Sequence, residues 1–186
     1  MGWLAGVSLA LALASSPADG AIVERVVAVV GERPILLSDL RHRAEPHVAK
    51  IHAETSSDAQ RAALESELLR ELLQRMIDER LEEMVADRAH VSVSSDEIDA
   101  ALRQVAAAAD VSVPRLLIAA LRQGLTEQVY RDELRRQILE GKLVMLHVRA
   151  RVRERENARE FEAAIERARK EWLSELRRNV YVEVRL

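Results

Sequence analysis

The sequence predicts a mostly α-helical protein with one small β-sheet, because strand signals stand only at the two ends of the chain. Residues 22–30 form an apolar, β-branched run, followed by a turn at 31–34 and a short second run at 35–37. Apolar and polar residues alternate over 180–186, which is the period of a half-buried strand. Since an isolated hairpin is marginal in water, we expect the N-terminal hairpin to pair with the C-terminal strand.

The first twenty residues are typical of a secretory signal peptide. A small and apolar run at 4–14 is too short to span a bilayer as a helix, and residues suited to cleavage follow it. We therefore predict that residues 1–20 are removed on export and that 21–186 form one domain, with a helical part at 21–153 and a closing helix and strand at 158–186. No basic residue precedes the apolar run, so a mis-assigned start codon or a buried N-terminal helix stays open as the alternative.

The first two helices are predicted from capping and periodicity. Ser38 has the position of an N-cap for a helix that runs to about Ile51, and a second helix extends from about Ala59 to about His90. Apolar residues recur along the second helix at three- and four-residue spacing, which indicates one buried stripe: Leu68, Leu69, Leu72, Leu73, Met76, Ile77, Leu81, Met84 and Val85.

Three further helix starts carry cap signals. Ser94 and Glu97 have the spacing of a capping box, Ser112 precedes Pro114 in the first turn of the next helix, and Thr126 caps the one after. Each start is flanked by apolar residues placed as a hydrophobic staple. The region therefore predicts two short helices and then a long one.

The long helix is expected to run from Thr126 to about Val152. Gly141 lies within it and costs about 1 kcal/mol relative to alanine, so we expect a crossing helix to approach closely there. We place a break at 154–157, because an unbroken helix over 126–179 would hardly return the C-terminus to the sheet. The last helix should turn these residues inward: Phe161, Ile165, Ala168, Trp172, Leu173 and Leu176.

The composition excludes several classes of function. The chain has 186 residues, no cysteine and a formal net charge of −3, so neither a disulfide framework nor thiol catalysis is expected. The five histidines do not converge on a metal, and the acids lie among bases at helical pair spacing, as on a solvated face. The basic run at 149–159 includes Glu154 and Glu156 and lacks stacking aromatics. We therefore expect no catalytic residue, cofactor, metal, nucleic-acid partner or stable membrane insertion.

The remaining functional feature is apolar surface. Long helices around a small sheet leave clefts that one layer does not fill, and methionine adapts to irregular partners. We predict a peptide-binding cleft, and we expect several of its candidate residues to belong to the core instead. The candidates are Met76, Ile77, Met84, Leu117, Leu121 and Met145.

Several segments together resemble the SurA-type family of periplasmic chaperones and peptidyl-prolyl isomerases. They are VVAVVGERPILLSDL at 26–40, LLQRMIDERL at 72–81, VSSDEID at 93–99, the run at 124–131, and WLSELR at 172–177 followed by YVEV at 181–184. The resemblance implies a SurA-like chaperone core that binds unfolded exported polypeptides, such as outer-membrane β-barrel precursors, without ATP. It covers essentially all of residues 21–186.

One departure from the family pattern bears on activity. Members usually carry parvulin isomerase domains between the long helix and the closing helix, and the gap here is only a few residues around 153–158. We therefore expect a chaperone core without the catalytic insert, and no enzyme activity. A family member with residual isomerase activity and a dedicated envelope adaptor stay open as alternatives. The chain is expected to be a monomer or a domain-swapped dimer.

Overall fold

The computed structural model describes residues 24–152 and 158–185 of the chain. The predicted signal peptide and the predicted break at 154–157 lie outside these residues. The described part confirms a mostly α-helical fold with a small three-stranded sheet. Its elements are β1 (Val26–Val30), β2 (Arg33–Leu36), α1 (Leu37–Glu54), α2 (Asp58–Ala89), α3 (Ser95–Ala108), α4 (Val113–Arg122), α5 (Glu127–Leu143), α6 (Ala158–Asn179) and β3 (Val182–Val184).

The sheet joins the two ends of the chain, as the sequence predicts. Its strand order is β2–β1–β3, with antiparallel pairing on both sides of β1. Gly31 makes the β1–β2 turn at a φ of +60°, a backbone conformation that glycine adopts without steric cost. A β-carbon at Gly31 would also lie only 3.1 Å from Cε of Met84, so the turn packs directly on α2.

The largest core lies between the sheet, α1 and the middle of α2. Its fully buried side chains include Ile35 from β2, Leu40 from α1 and Ile77 from α2. Val180 and Val182, at the end of the chain, pack against the same core. The C-terminal segment therefore completes a core that the N-terminal elements begin.

The helices α3, α4 and α5 form a second, smaller core around Ile98, Leu102 and Leu134. The predicted capping box at the start of α3 is confirmed: the Ser94 hydroxyl accepts a hydrogen bond from the Glu97 N–H, and the Glu97 carboxylate accepts one from the Ser94 N–H. Thr126 caps α5 by accepting a hydrogen bond from the Val129 N–H.

Two predicted side-chain caps are not formed. Ser38 lies inside α1, whose N-cap is Leu36, because the N–H of Leu37 donates to the Arg25 carbonyl at 2.7 Å and strand pairing leads straight into the helix. Ser112 is the N-cap of α4, but its hydroxyl accepts no capping hydrogen bond. Pro114 in the first turn has no N–H to satisfy.

The expectation about Gly141 is wrong. Nothing lies within 4 Å of a β-carbon built at this position, and the residue is exposed. The long helix also changes its hydrogen bonding earlier than predicted: α5 ends at Leu143, and a π-helical segment, Val144–Val148, and one 3-10 turn, Arg149–Arg151, continue it. Val152 is extended, with a ψ of 124°, which excludes an unbroken helix through to α6.

A third core joins the end of α2, the π-helical segment and α6. It contains Leu143, Val148, Trp172 and Leu173, and the rings of His147 and Trp172 stack with centroids 5.5 Å apart. The predicted inward face of α6 is therefore confirmed at Trp172 and Leu173.

Candidate functional site

The described residues contain neither a group that could hold a metal ion nor a single helix that could cross a membrane. Within residues 24–152 and 158–185, no group of three or more His, Asp or Glu side chains could hold a metal ion. No single helix of this part is long and apolar enough to cross a membrane; α3 and α4 pass that test of length and composition only as a pair, bent by 85°. The candidate sites that these residues do form are a groove and two exposed apolar patches.

The groove runs between α1 and α2 and has a volume of about 780 Å³. Ala44, Val48 and Leu69 give it an apolar floor. Its edges are charged, and the His52 Nε2 is hydrogen-bonded to the Glu65 carboxylate across the two helices. The remaining lining residues are Arg41, His42, Glu45 and Ala49. The arrangement suits an apolar side chain flanked by polar ones.

The first apolar patch, the α4 patch, consists of Ile118 and Leu121, both more than half exposed. The helix α4 is apolar on more than one face, and it buries only Ala120 fully. Since one neighbouring core cannot cover all its apolar side chains, two of them face solvent. This excess of apolar residues over one helical stripe is the signal that could have identified Ile118, which the sequence reasoning missed.

The second apolar patch, the π patch, consists of Met145 and Leu146, which are 56% and 53% exposed. The same π-helical segment turns Val148 inward against α2 and α6, so its opposite side remains uncovered. Irregular π turns frequently accompany functional sites. Leu146 was also missed from the sequence, because a regular helix was expected here.

The six residues predicted to bind peptide do not line one cleft. Met76 and Ile77 are buried in the core beneath the sheet, and Met84 packs against that core. Leu117 packs in the core of α3, α4 and α5. Leu121 and Met145 belong to the α4 patch and the π patch. Peptide contact by any of them remains a prediction.

Two charge networks hold the helices that carry these surfaces. Arg43 of α1 donates to both carboxylate oxygens of Glu79 on α2, at 2.5 and 2.6 Å, and its guanidinium also lies 3.7 Å from Glu133 of α5. Burial alone would raise the pKa of Glu133, but hydrogen bonds from Arg136 and Gln137 outweigh this effect, and the pKa is lowered. These contacts connect α1, α2 and α5.

The second network is more buried. Glu82 of α2 is only 5% exposed, and its carboxylate lies 3.1 Å from the Arg169 guanidinium on α6, which also approaches Glu140 of α5 to 3.0 Å. Burial raises the pKa of Glu82 to about 7, although the charge of Arg169 acts in the opposite direction. We read this group as a structural connection between three helices, because no groove or patch reaches it.

Comparison with known proteins supplies the context for these surfaces. The sequence model of the SurA N-terminal domain matches residues 23–144. The chain is 34% identical over 117 residues to the chaperone SurA of Cupriavidus pinatubonensis, covering 63% of this chain and 23% of the relative. It is 31% identical over 130 residues to that of Ralstonia nicotianae, covering 70% and 25%. With the chaperone SurA of Chromohalobacter salexigens it shares 28% over 152 residues, covering 82% and 34%. The chain thus spans about a quarter to a third of the length of these relatives.

Proposed function

The chain belongs to the SurA N-terminal domain family, and from this premise we propose that it is an ATP-independent chaperone for unfolded polypeptides in the periplasm. Its clients would be exported proteins, outer-membrane β-barrel precursors among them, which it meets after removal of residues 1–20. We propose that it binds them as a monomer or a domain-swapped dimer and that it has no isomerase activity of its own. The relatives that bear the name chaperone SurA support the general role.

One observation carries this proposal: four large apolar side chains are more than half exposed, in two pairs, the α4 patch and the π patch. Full burial of such a side chain contributes about 1.5–3 kcal/mol, and about half of each is already covered. A client that contacts both patches therefore gains only a few kcal/mol. Weak contacts of this kind permit release without nucleotide hydrolysis.

The α1–α2 groove supports the same function. Its volume of about 780 Å³ falls within the usual range for ligand pockets, about 300–1,000 Å³. An unfolded chain could place an apolar side chain on Val48 and Leu69 while other segments contact the patches. Of the six residues predicted from the sequence, the proposal assigns direct client contact to Leu121 and Met145.

The test is suppression of aggregation of an unfolded outer-membrane protein by the purified protein. We expect wild type at several-fold excess to slow aggregation, and the variants Ile118→Ser/Leu121→Ser and Met145→Ser/Leu146→Ser to be markedly weaker. Leu64→Ser is the matched control, because Leu64 is an exposed leucine on α2 outside both patches. No effect of wild type would refute the chaperone proposal; equal loss in the control would refute the assignment to the patches.

The non-enzymatic part of the proposal has a separate test. Between the 3-10 turn that ends at Arg151 and the start of α6 at Ala158 there are only a few residues, too few for a further folded domain. We expect no acceleration of a proline-limited refolding reaction. Catalysis by this chain alone would contradict this part of the proposal and favour the isomerase alternative.

A further inference from the structure

The strand β3 forms one edge of the sheet, and its register determines which main-chain groups remain unpaired. The Gly31 N–H donates to the Tyr181 carbonyl at 2.7 Å, and the Arg185 N–H donates to the Val27 carbonyl at 2.8 Å. Between these, Glu183 lies opposite Val29. In an antiparallel strand, the N–H and carbonyl groups of successive residues point to opposite edges of the strand, and those of alternate residues point to the same edge. Tyr181, Glu183 and Arg185 therefore face β1.

It follows that the main-chain groups of Val182 and Val184 face away from β1. Within residues 24–152 and 158–185, the sheet ends at β3 and no further strand pairs with it. These two residues thus present two N–H donors and two carbonyl acceptors along an open edge. Such a row of groups is a template for the addition of another strand.

The opposite edge of the sheet is protected. Pro34 of β2 lies opposite Val29, whose main chain already faces Glu183, so the proline nitrogen lies on the outer side of β2. Proline has no N–H to offer there. Arg33 beside it forms an ion pair with Asp87 at 2.6 Å. Of the two edges, only the β3 edge can accept a strand through a regular set of hydrogen bonds.

The side chains beside the β3 edge differ in polarity between the two faces of the sheet. Val180 and Val182 pack towards the core beneath the sheet. On the other face the Tyr181 hydroxyl donates to the Glu183 carboxylate at 2.6 Å, and Arg185 donates to the same carboxylate at 2.8 Å. Tyr181 as a whole is nevertheless 63% exposed. A strand added at this edge would meet an apolar face and a polar, aromatic face.

We propose that the β3 edge binds an extended client segment in which apolar and polar residues alternate, as a fourth strand of the sheet. This inference rests on the proposed chaperone function and names the class of segment that it would recognise. Strands of transmembrane β-barrels alternate in this way, and main-chain recognition tolerates many sequences. A second copy of the chain fits less well: a stable protein–protein interface buries about 800 Å² per partner, far more than an edge of two residues provides.

The test uses a fluorescent peptide of about ten residues with alternating apolar and polar residues, long enough to cover a short strand, and measures its affinity by anisotropy. Val184→Pro removes an outward N–H and leaves the Arg185 bond to Val27 in place. We expect it to weaken binding at least about tenfold, which corresponds to about 1.4 kcal/mol. Val184→Thr, which keeps the N–H and the branched shape, is the matched control and should bind within about twofold of wild type.

A second measurement does not depend on a variant that folds. The same peptide N-methylated at alternate residues lacks the donors of one edge, and we expect wild type to bind it at least about tenfold more weakly, a difference of about 1.4 kcal/mol. Binding of the unmodified peptide should also slow amide hydrogen exchange at Val182 and Val184. Equal affinity for both peptides, or unchanged exchange at these two amides, would overturn the inference.

The outcomes separate this inference from the proposed function. If wild type suppresses aggregation but Val184→Pro and the N-methylated peptide bind as tightly as their references, the edge is not used and the chaperone proposal stands. If light scattering shows a wild-type dimer that Val184→Pro converts to monomer, the edge pairs with a second copy and the inference is wrong. If wild type binds the peptide through the edge yet suppresses no aggregation, only the proposed function fails.

Discussion

Two regions of the molecule differ in how far apart in the sequence their contacting residues are. The sheet body consists of β1, β2, β3, α1 and the middle of α2, and the three-helix unit consists of α3, α4 and α5. In the sheet body, Val30 pairs with Val182 across almost the whole chain, and large side chains such as Ile35 and Ile77 are fully buried. In the three-helix unit neighbours along the chain pack together, and α4 buries only Ala120 fully. We therefore expect stability to be concentrated in the first region, whereas the second leaves apolar surface exposed at Ile118 and Leu121.

The separate cores of the two regions let the protein keep apolar side chains exposed without losing its fold. The sheet body and the three-helix unit have separate cores. They are linked by the third core, to which the end of α2 and the end of α5 both contribute, and by charged contacts such as Arg43 with Glu133. A client that covers Ile118 or Leu121 need not displace any side chain of the sheet body.

The largest expected effect is the loss of the sheet body on removal of β3. A chain ending at Asn179 lacks Val180 and Val182, which pack against the core that α1 and α2 share with the sheet. We expect loss of cooperative urea unfolding in the N-terminal elements as well, measured by circular dichroism. Tyr181→Ser, which changes an exposed side chain, should shift the free energy of unfolding by no more than about 0.5 kcal/mol. An unchanged cooperative transition after truncation would show that β3 is dispensable.

The second prediction compares two isoleucines. Ile77→Ala empties a fully buried site in the sheet body and should lower the free energy of unfolding by about 2–5 kcal/mol. Ile118→Ala removes an exposed side chain of the three-helix unit and should change it by no more than about 0.5 kcal/mol. Urea denaturation of both variants measures the difference. Losses of similar size would mean that stability is spread evenly and that Ile118 is not free for clients.

The third prediction concerns Glu82, where α2 meets α5 and α6. Burial raises its pKa from 4.5 to about 7 in the folded protein. Between these two pH values, the folded state therefore keeps a proton on Glu82 that the unfolded state has released. Its contribution to stability is therefore fully present below pH 4.5 and is lost as the pH rises through about 7. Glu82→Gln removes this dependence.

The measurement is urea unfolding of wild type and Glu82→Gln between pH 5 and pH 8. Over this range, the free energy of unfolding of wild type should fall by on the order of 2 kcal/mol relative to that of the variant. The reason is that only wild type has a carboxyl group that ionises at this buried position. Parallel pH profiles for the two proteins would show that Arg169 keeps Glu82 ionised throughout.

The smallest expected effect compares two caps in the three-helix unit. Ser94→Ala breaks the capping box of α3 and should cost about 1 kcal/mol. Ser112→Ala removes a hydroxyl that makes no capping hydrogen bond at α4, so it should cost no more than a few tenths of a kcal/mol. Thermal unfolding of both variants, compared with wild type, gives the two values. Equal costs would mean that Ser112 caps α4 in solution.

Local signals along the chain predicted most of the fold. The alternation at 180–186, the stripe that includes Met76 and Ile77, and the caps at Ser94 and Thr126 depend on neighbours within a few residues, and the structure contains all of them. The cap at Ser38 was mispredicted because the helix begins earlier, at Leu37, whose N–H donates to the carbonyl of Arg25, a residue distant in sequence that lies just before β1. The expectation for Gly141 failed because it required the position of another helix.

The candidate site was less predictable than the fold. The helical stripe of α2 does not reveal whether Met76 will meet the sheet or a client, since both would cover the same apolar face. Exposure of Met145 and Leu146 depends on the π-helical segment and on the burial of Val148 beside them. The excess of apolar residues on α4 was visible in the sequence, and only the packing of α3 and α5 decides which of them remain exposed.

The sequence by itself determined the helices, the strands at the two ends and their pairing, because periodicity, caps and an unstable lone hairpin each constrain local backbone geometry. The tertiary structure alone decided which apolar side chains are core and which are surface, since this depends on residues distant in sequence. It also decided that β2 presents a proline to the outer edge while β3 presents Val182 and Val184. That difference follows from strand register, which sets the side to which each main-chain N–H and carbonyl points.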